Sequence, residues 1–149
     1  MTDRTWLLAI ILLLLLLPCS CSSPPDAARV TQVVDGDTIV IEGGYRVRYI
    51  GIDTPEIHPG LEAYGGEALE ANRKLVEGKE VRLERDVSET DKYGRLLRYV
   101  YVNDIFVNAE LVKKGLAYAK AYPPDTKHQD YLDKLEQEAR QAGRGIWAK

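Results

Sequence analysis

The side chains best suited to chemistry fall in three short stretches. Asp35-Gly36-Asp37-Thr38 comes first, Asp53-Thr54-Pro55-Glu56 second, and Thr90-Asp91-Lys92-Tyr93-Gly94-Arg95 third. Taken singly, each reads as a turn or loop, since Asp-Gly is a turn dipeptide and Asp before Thr-Pro starts a loop. Asp35 itself is assigned to that turn. Taken together they read differently. Asp37 and Asp53 flank a hairpin whose strands are neighbours, so their carboxylates can converge. Converging carboxylates repel unless a cation or a shared proton relieves them. An all-oxygen set favours a hard cation such as calcium or magnesium. Zinc fits poorly, because the chain beyond residue 21 has no Cys and only His58 and His128. The Asp-Gly-Asp does not continue as a calcium-binding helix–loop–helix either, since its later acidic positions are absent.

Two arginines complete the set. Arg48 lies on the strand leading to Asp53, and Arg95 ends the third stretch. A guanidinium keeps its charge at working pH and pairs bidentately with phosphate oxygens. A metal to polarise a phosphate, a carboxylate to activate water and arginines to stabilise developing charge form a phosphodiester-cleaving constellation.

The elements that must position these groups follow from periodicity. Residues 30–34 and 38–42 read as strands, Gly43-Gly44 as a hairpin turn and residues 46–52 as the returning strand. Residues 67–77 form a helix with Ala68, Leu69, Ala71, Leu75 and Val76 on one stripe, stopped by Gly78. Residues 79–85 alternate as a strand, and 95–102 with 105–107 make a hairpin around Asn103-Asp104. Asn108 is expected to cap a short helix through Lys114, and Thr126 with Gln129 to form a capping box for a helix reaching about Ala142. Leu132, Leu135 and Ala139 are its expected inward face. Five short strands, an interposed helix and a helical C-terminus predict a small α+β domain on a closed barrel.

The first residues stand apart. Trp6 to Leu17 is an unbroken run of twelve apolar residues followed by a Cys, Ser and Pro cluster. A bilayer span takes about 20 residues, so this run reads as the apolar region of an export signal. Cys21, preceded by Ser20, resembles the lipidated Cys of a bacterial lipoprotein; Cys19 follows Pro18 and fits less well. The expected organisation is a signal peptide over 1–21, a Ser/Pro linker over 22–28 and one domain over 29–149. The protein is expected to be exported, either secreted or held at a membrane through a lipid anchor at Cys21, and to be monomeric.

The order of motifs resembles the staphylococcal nuclease (thermonuclease) family. The resemblance rests on the three stretches with Arg48, on Tyr64-Gly65, on Val107-Asn108-Ala109-Glu110-Leu111-Val112 and on Gly145-Ile146-Trp147. It implies an OB-type five-stranded barrel with three helices. It also implies calcium held by Asp37, Asp53 and the backbone carbonyl of Thr54, with Glu56 as general base and Arg48 and Arg95 on the scissile phosphate. Lys92 and Tyr93 fall at nucleotide-pocket positions, and the late pocket tyrosine is Tyr118 or Tyr122. The implied reaction is calcium-dependent hydrolysis of DNA and RNA to 3'-phosphate ends. One departure is the segment after Glu56, which is short and has no lysine. His58 within it is expected to be a surface loop residue.

Composition weighs on the alternatives. The chain of 149 residues has a net charge of -3, with 20 Lys+Arg against 23 Asp+Glu. Bulk positive charge therefore cannot be how it grips nucleic acid. An acidic balance still permits a nucleic-acid substrate, because at least three acids would serve a site where a divalent cation reverses the local sign. The competing expectation is a catalytically silent OB-type module that binds single strands by stacking. Such a module would have lost catalytic residues, whereas Asp37, Arg48, Asp53, Glu56 and Arg95 are all present.

Overall fold

The computed structural model describes residues 23–57, 60 and 62–149. The leader with Cys19 and Cys21, and His58, lie outside the described residues. Along the chain come β1 (Ala27–Val33), β2 (Thr38–Ile41), β3 (Arg46–Tyr49), β4 (Ile52–Asp53), α1 (Gly65–Val76) and β5 (Glu80–Glu84). There follow β6 (Leu96–Val102), β7 (Ile105–Phe106), α2 (Val107–Lys113), β8 (Tyr118–Ala119), α3 (Gln129–Gln141) and a closing 3-10 turn at Gly145–Trp147.

The strands run in the order β3-β2-β1-β5-β6 and close on themselves because β3 also pairs with β6. That closing pair is parallel, with Val47 opposite Leu96 and Tyr49 opposite Arg98. Closure removes the unpaired strand edges that an open sheet would present. The expected closed five-stranded barrel with three helices, of α+β class, is what forms. Its interior is β-branched: Ile39, Ile41, Val47, Val81 and Val100 are wholly buried. Alternation does the sorting, as in β5, where Val81 and Leu83 face in while Glu80 and Arg82 face out. Each such side chain contributes about 1.5–3 kcal/mol by leaving water.

Several local expectations are corrected. The third strand does not run unbroken over 46–52. It stops at Tyr49, turns through Gly51 at φ +77, and resumes as β4, which pairs with β8 instead of the barrel. A Cβ on Gly51 would stand 2.6 Å from Leu132 Cδ1, so the turn needs glycine for both conformation and room. Asn108 does not cap α2; Phe106 holds the cap position. The Asn108 side chain instead donates to the Ile50 carbonyl at 2.8 Å and accepts from the Val100 amide at 3.0 Å, buried between them. No capping box forms before α3 either. His128 is the cap residue, Thr126 bonds the Gln129 amide through its backbone carbonyl, and the Gln129 amide group donates to Asp133. The Asn108 and Gln129 side chains are engaged by tertiary and intrahelical partners instead. Leu132, Leu135 and Ala139 do face inward, all buried. The inward face of α1 carries one polar residue, Asn72, at 0% exposure.

Candidate active site

The two aspartates reach one place by different routes. Asp37 sits where the turn after β1 enters β2, and it is 5% exposed. Its Oδ2 accepts hydrogen bonds from the Thr54 amide at 2.8 Å and the Thr54 hydroxyl at 3.0 Å. That contact explains Gly36: a Cβ there would lie 2.7 Å from the Thr54 side chain, so any larger residue would push Thr54 away. The turn is fixed from beneath as well. Tyr49 donates to Asn72 Oδ1 at 2.8 Å, and Asn72 donates to the Asp35 carbonyl at 3.0 Å. Asp35 keeps its expected turn role, accepting from the Asp37 amide at 3.0 Å. Burial, with the Asp37 charge beside it, pushes the Asp35 carboxyl up to about 6.

Asp53 arrives on β4, in register with Tyr118 of β8. Arg48 joins the two acids. Its Nη1 ion-pairs with Asp37 and its Nη2 donates to Asp53 Oδ1 at 2.8 Å. Burial disfavours the charge on Arg48, but the Asp37 and Asp53 carboxylates outweigh it and raise its pKa further. The other oxygen of Asp53 accepts from Lys120 Nζ at 2.7 Å. Thr54, next to Asp53 in sequence, is buried against Asp37.

Glu56 is exposed three residues beyond Asp53. Its backbone is pinned from both sides, its amide donating to Glu62 Oε2 at 2.9 Å and its carbonyl accepting from the Glu62 amide at 2.8 Å. The third stretch forms a turn whose hub is Asp91. Asp91 Oδ1 accepts from the Tyr93 and Arg95 amides at 2.9 and 3.0 Å, and Oδ2 accepts from Arg95 Nε at 2.7 Å. Burial works against the Asp91 charge, but these donors hold its carboxyl below the usual range. Arg95 is thereby aimed by one face of its guanidinium, and among the described residues its two terminal nitrogens have no hydrogen-bond partner.

A cleft of about 400 Å³ lies between these walls, lined by Arg48, Arg95, Lys92, Tyr93, Tyr122 and Asp125 among others. The structure therefore brings Arg48, Arg95, Lys92, Tyr93 and Tyr122 to one cavity. Asp37, Asp53, Thr54 and Glu56 are not among its lining residues, and the two aspartates are joined to it through Arg48. Tyr118 is not among the lining residues. Its ring meets Trp147 edge-on at 5.4 Å. Three residues went unnoticed in the sequence: Lys120, Asp125 and Asn72. Buried Asp125 bonds the Val87 and Ser88 amides at 3.0 and 2.7 Å, tying the Tyr122 wall to the chain that leads into the Asp91 turn. No sequence spacing pointed to these contacts, which all span long separations.

A metal would meet oxygen alone: the Asp37 and Asp53 carboxylates and the Thr54 carbonyl. Among the described residues no group of three or more His, Cys, Asp or Glu gathers to hold an ion. Two carboxylates completed by carbonyl and solvent oxygen suit a hard, flexibly coordinated cation and no softer one.

The description "Staphylococcal nuclease homologue" fits residues 46–149 of this chain. The thermonuclease of Staphylococcus intermedius is 41% identical over 130 residues, covering 83% of this chain and 77% of that protein. The thermonuclease of Staphylococcus hyicus is 37% identical over 126 residues, covering 80% and 75%. The endonuclease YncB of Bacillus subtilis (strain 168) is 43% identical over 126 residues, covering 79% of this chain and 60% of that protein. Barrel, cleft and relatives agree, and the chain belongs to the staphylococcal nuclease family.

Proposed function

We propose that this protein is a nuclease that hydrolyses phosphodiester bonds of DNA and RNA with calcium, leaving 3'-phosphate ends. The observation that carries this reading is the cleft in which Arg48, braced by two aspartates, and Arg95, aimed by Asp91, line one cavity with Tyr93 and Tyr122. Those rings offer faces to a sugar or base, and the arginines offer planar forks to a phosphate.

Asp37, Asp53 and the Thr54 carbonyl would hold calcium, which when bound polarises the phosphate and offsets its charge. The chain's own residues do the rest. Arg48 and Arg95 orient the phosphate and stabilise the charge that builds on its oxygens. Glu56 takes a proton from water as the water oxygen bonds to phosphorus. The bond from phosphorus to the 5'-oxygen breaks, that oxygen is protonated from solvent, and the phosphate stays on the 3' side. The leader, outside the described residues, would export the enzyme, which acts beyond the cytoplasm as a monomer, either secreted or held at a membrane through a lipid anchor at Cys21.

The test is digestion of heat-denatured DNA and of RNA by the purified protein, with calcium and then with EGTA. Cleavage is expected with calcium only, and the products should resist polymerase extension until a 3'-phosphatase has acted. Intact substrate in calcium would overturn the nuclease reading, and directly extendable ends would overturn the bond assignment.

A further inference from the structure

Asp53 is held by two cations of unlike character. Arg48 is nearly buried, with its side chain 12% exposed, and its fork is committed to both aspartates. Lys120 is 51% exposed on a flexible stem, and its only carboxylate partner among the described residues is Asp53 Oδ2. The same ammonium stands 5.4 Å from the centroid of the Tyr122 ring, and Tyr122 lines the cleft. The Lys120 amide is fixed, donating to the Gly51 carbonyl at 2.9 Å, so the stem swings from a fixed root. A cation entering beside Asp53 meets oxygens already engaged, and only Lys120 is free to give one up.

We infer that Lys120 is an exchangeable counter-ion: it neutralises Asp53 until a metal arrives, then turns toward Tyr122, where a substrate phosphate receives it. This rests on the calcium site proposed above. Two consequences follow from electrostatics. Lys120 competes with calcium when no phosphate is present, because both want the same carboxylate oxygen. A phosphate in the cleft draws Lys120 off Asp53 and so strengthens calcium binding, giving a coupling between metal and substrate that is reciprocal by linkage. The enzyme would then hold its metal firmly only on a substrate.

Calorimetric calcium titrations at low ionic strength test this without any turnover. The proteins are the wild type, Lys120→Gln and Lys120→Met, each with and without deoxythymidine 5'-monophosphate. Without nucleotide, both variants should bind calcium about threefold to tenfold more tightly than wild type, the range expected for losing one half-exposed charge near the ion. The gain in calcium affinity that the nucleotide brings should shrink several-fold in both variants. Lys127→Gln, which removes an equal charge beside Glu84 instead, should leave calcium affinity unchanged. Equal or weaker calcium binding by the Lys120 variants would overturn the exchange role. An absence of calcium binding by the wild type would instead overturn the calcium site itself.

Discussion

Among the clusters that join carboxylates to two cations, one borders the cleft through Arg48 and another sits on the outer side of the barrel. In the cleft, two aspartates share one buried guanidinium, with Lys120 on the outer oxygen of Asp53. On the outer side of β5, a single carboxylate, Glu84, accepts from Lys127 Nζ at 2.7 Å and contacts His128 Nε2 at 2.9 Å. Aromatic rings wall in the second cluster. His128 meets Tyr99 and Phe106 edge-on, and Tyr101 is stacked between Phe106 and the Arg82 guanidinium. The difference is instructive. Glu84 has an excess of positive partners and rings beside them, so it fastens the start of α3 to the barrel. The Asp37–Asp53 pair is just balanced by Arg48 and the half-exposed Lys120, and Arg48 lines the cleft, so another cation is accommodated there by displacing an exposed one. Ion pairing alone does not distinguish a reactive site; a neighbouring cavity and an exposed, replaceable cation do.

The largest effect that would sharpen this contrast is expected from Arg48→Ala. Asp37 would be left buried without its partner, costing about 3 kcal/mol of stability. Turnover on heat-denatured DNA should fall about a thousandfold at saturating calcium, since a charge-stabilising donor is removed from the transition state. Urea unfolding and initial rates measure the two parts separately. A rate loss below tenfold would mean that the pair is structural, like the Glu84 cluster.

Glu56→Gln comes next. Glu56 is exposed, and its pinning to Glu62 uses backbone groups, so the melting temperature should stay within a degree or two. Its rate should fall about a hundredfold to a thousandfold, the usual worth of a positioned base. An unchanged rate would show that the proton goes elsewhere.

How much of this could be read from the sequence depended on distance along the chain. Asp37, Arg48 and Asp53 were legible because a hairpin folds them together, and Asp91 to Arg95 because one turn holds them. Lys120 was not legible, since it meets Asp53 across 67 residues. Asp125 reaches Val87 across 38 residues, and Asn72 reaches Tyr49 across 23. The choice between Tyr118 and Tyr122 was closed to sequence for a related reason. Tyr118 opens and Tyr122 follows a two-residue strand too short to show a period; the fold pairs β8 with β4 and sets the Tyr118 ring against Trp147. The barrel itself was legible because β-branched runs bounded by turn residues mark its strands, with alternation clear in β3 and β5. Its break at Gly51 was not, because the apolar pattern of residues 46–52 runs straight through it.

Glu84→Gln addresses the other cluster and should separate stability from activity. It should lower stability by about 1 kcal/mol, discounted for the partial exposure of the cluster. The rate on DNA, measured well below the melting temperature, should be unchanged. A tenfold loss of rate would tie the two clusters together and end the contrast between them.

The smallest effect is the pH dependence of that same difference, and its sign follows from the carboxyl. Burial pushes Glu84 up, but hydrogen bonds from Lys127 and His128 with their charges overcome it and hold the carboxyl at about 2, against an ordinary 4.5. Arg82 lies 3.5 Å away on the same strand and favours the charged form as well, while the neutral Tyr101 hydroxyl adds no opposing charge. A carboxyl depressed in the folded state stabilises it above the unfolded pKa and loses that contribution as pH falls through the folded value. The stability advantage of wild type over Glu84→Gln should therefore be full at pH 7 and at pH 5.5. It should shrink from about pH 4.5 downward and vanish near pH 2. Urea midpoints for the two proteins across that range measure it, and taking the difference cancels the titration of shared groups that do not touch Glu84. An advantage that survived undiminished at pH 2.5 would mean that packing of the side chain, and not its charge, fastens α3 to the barrel.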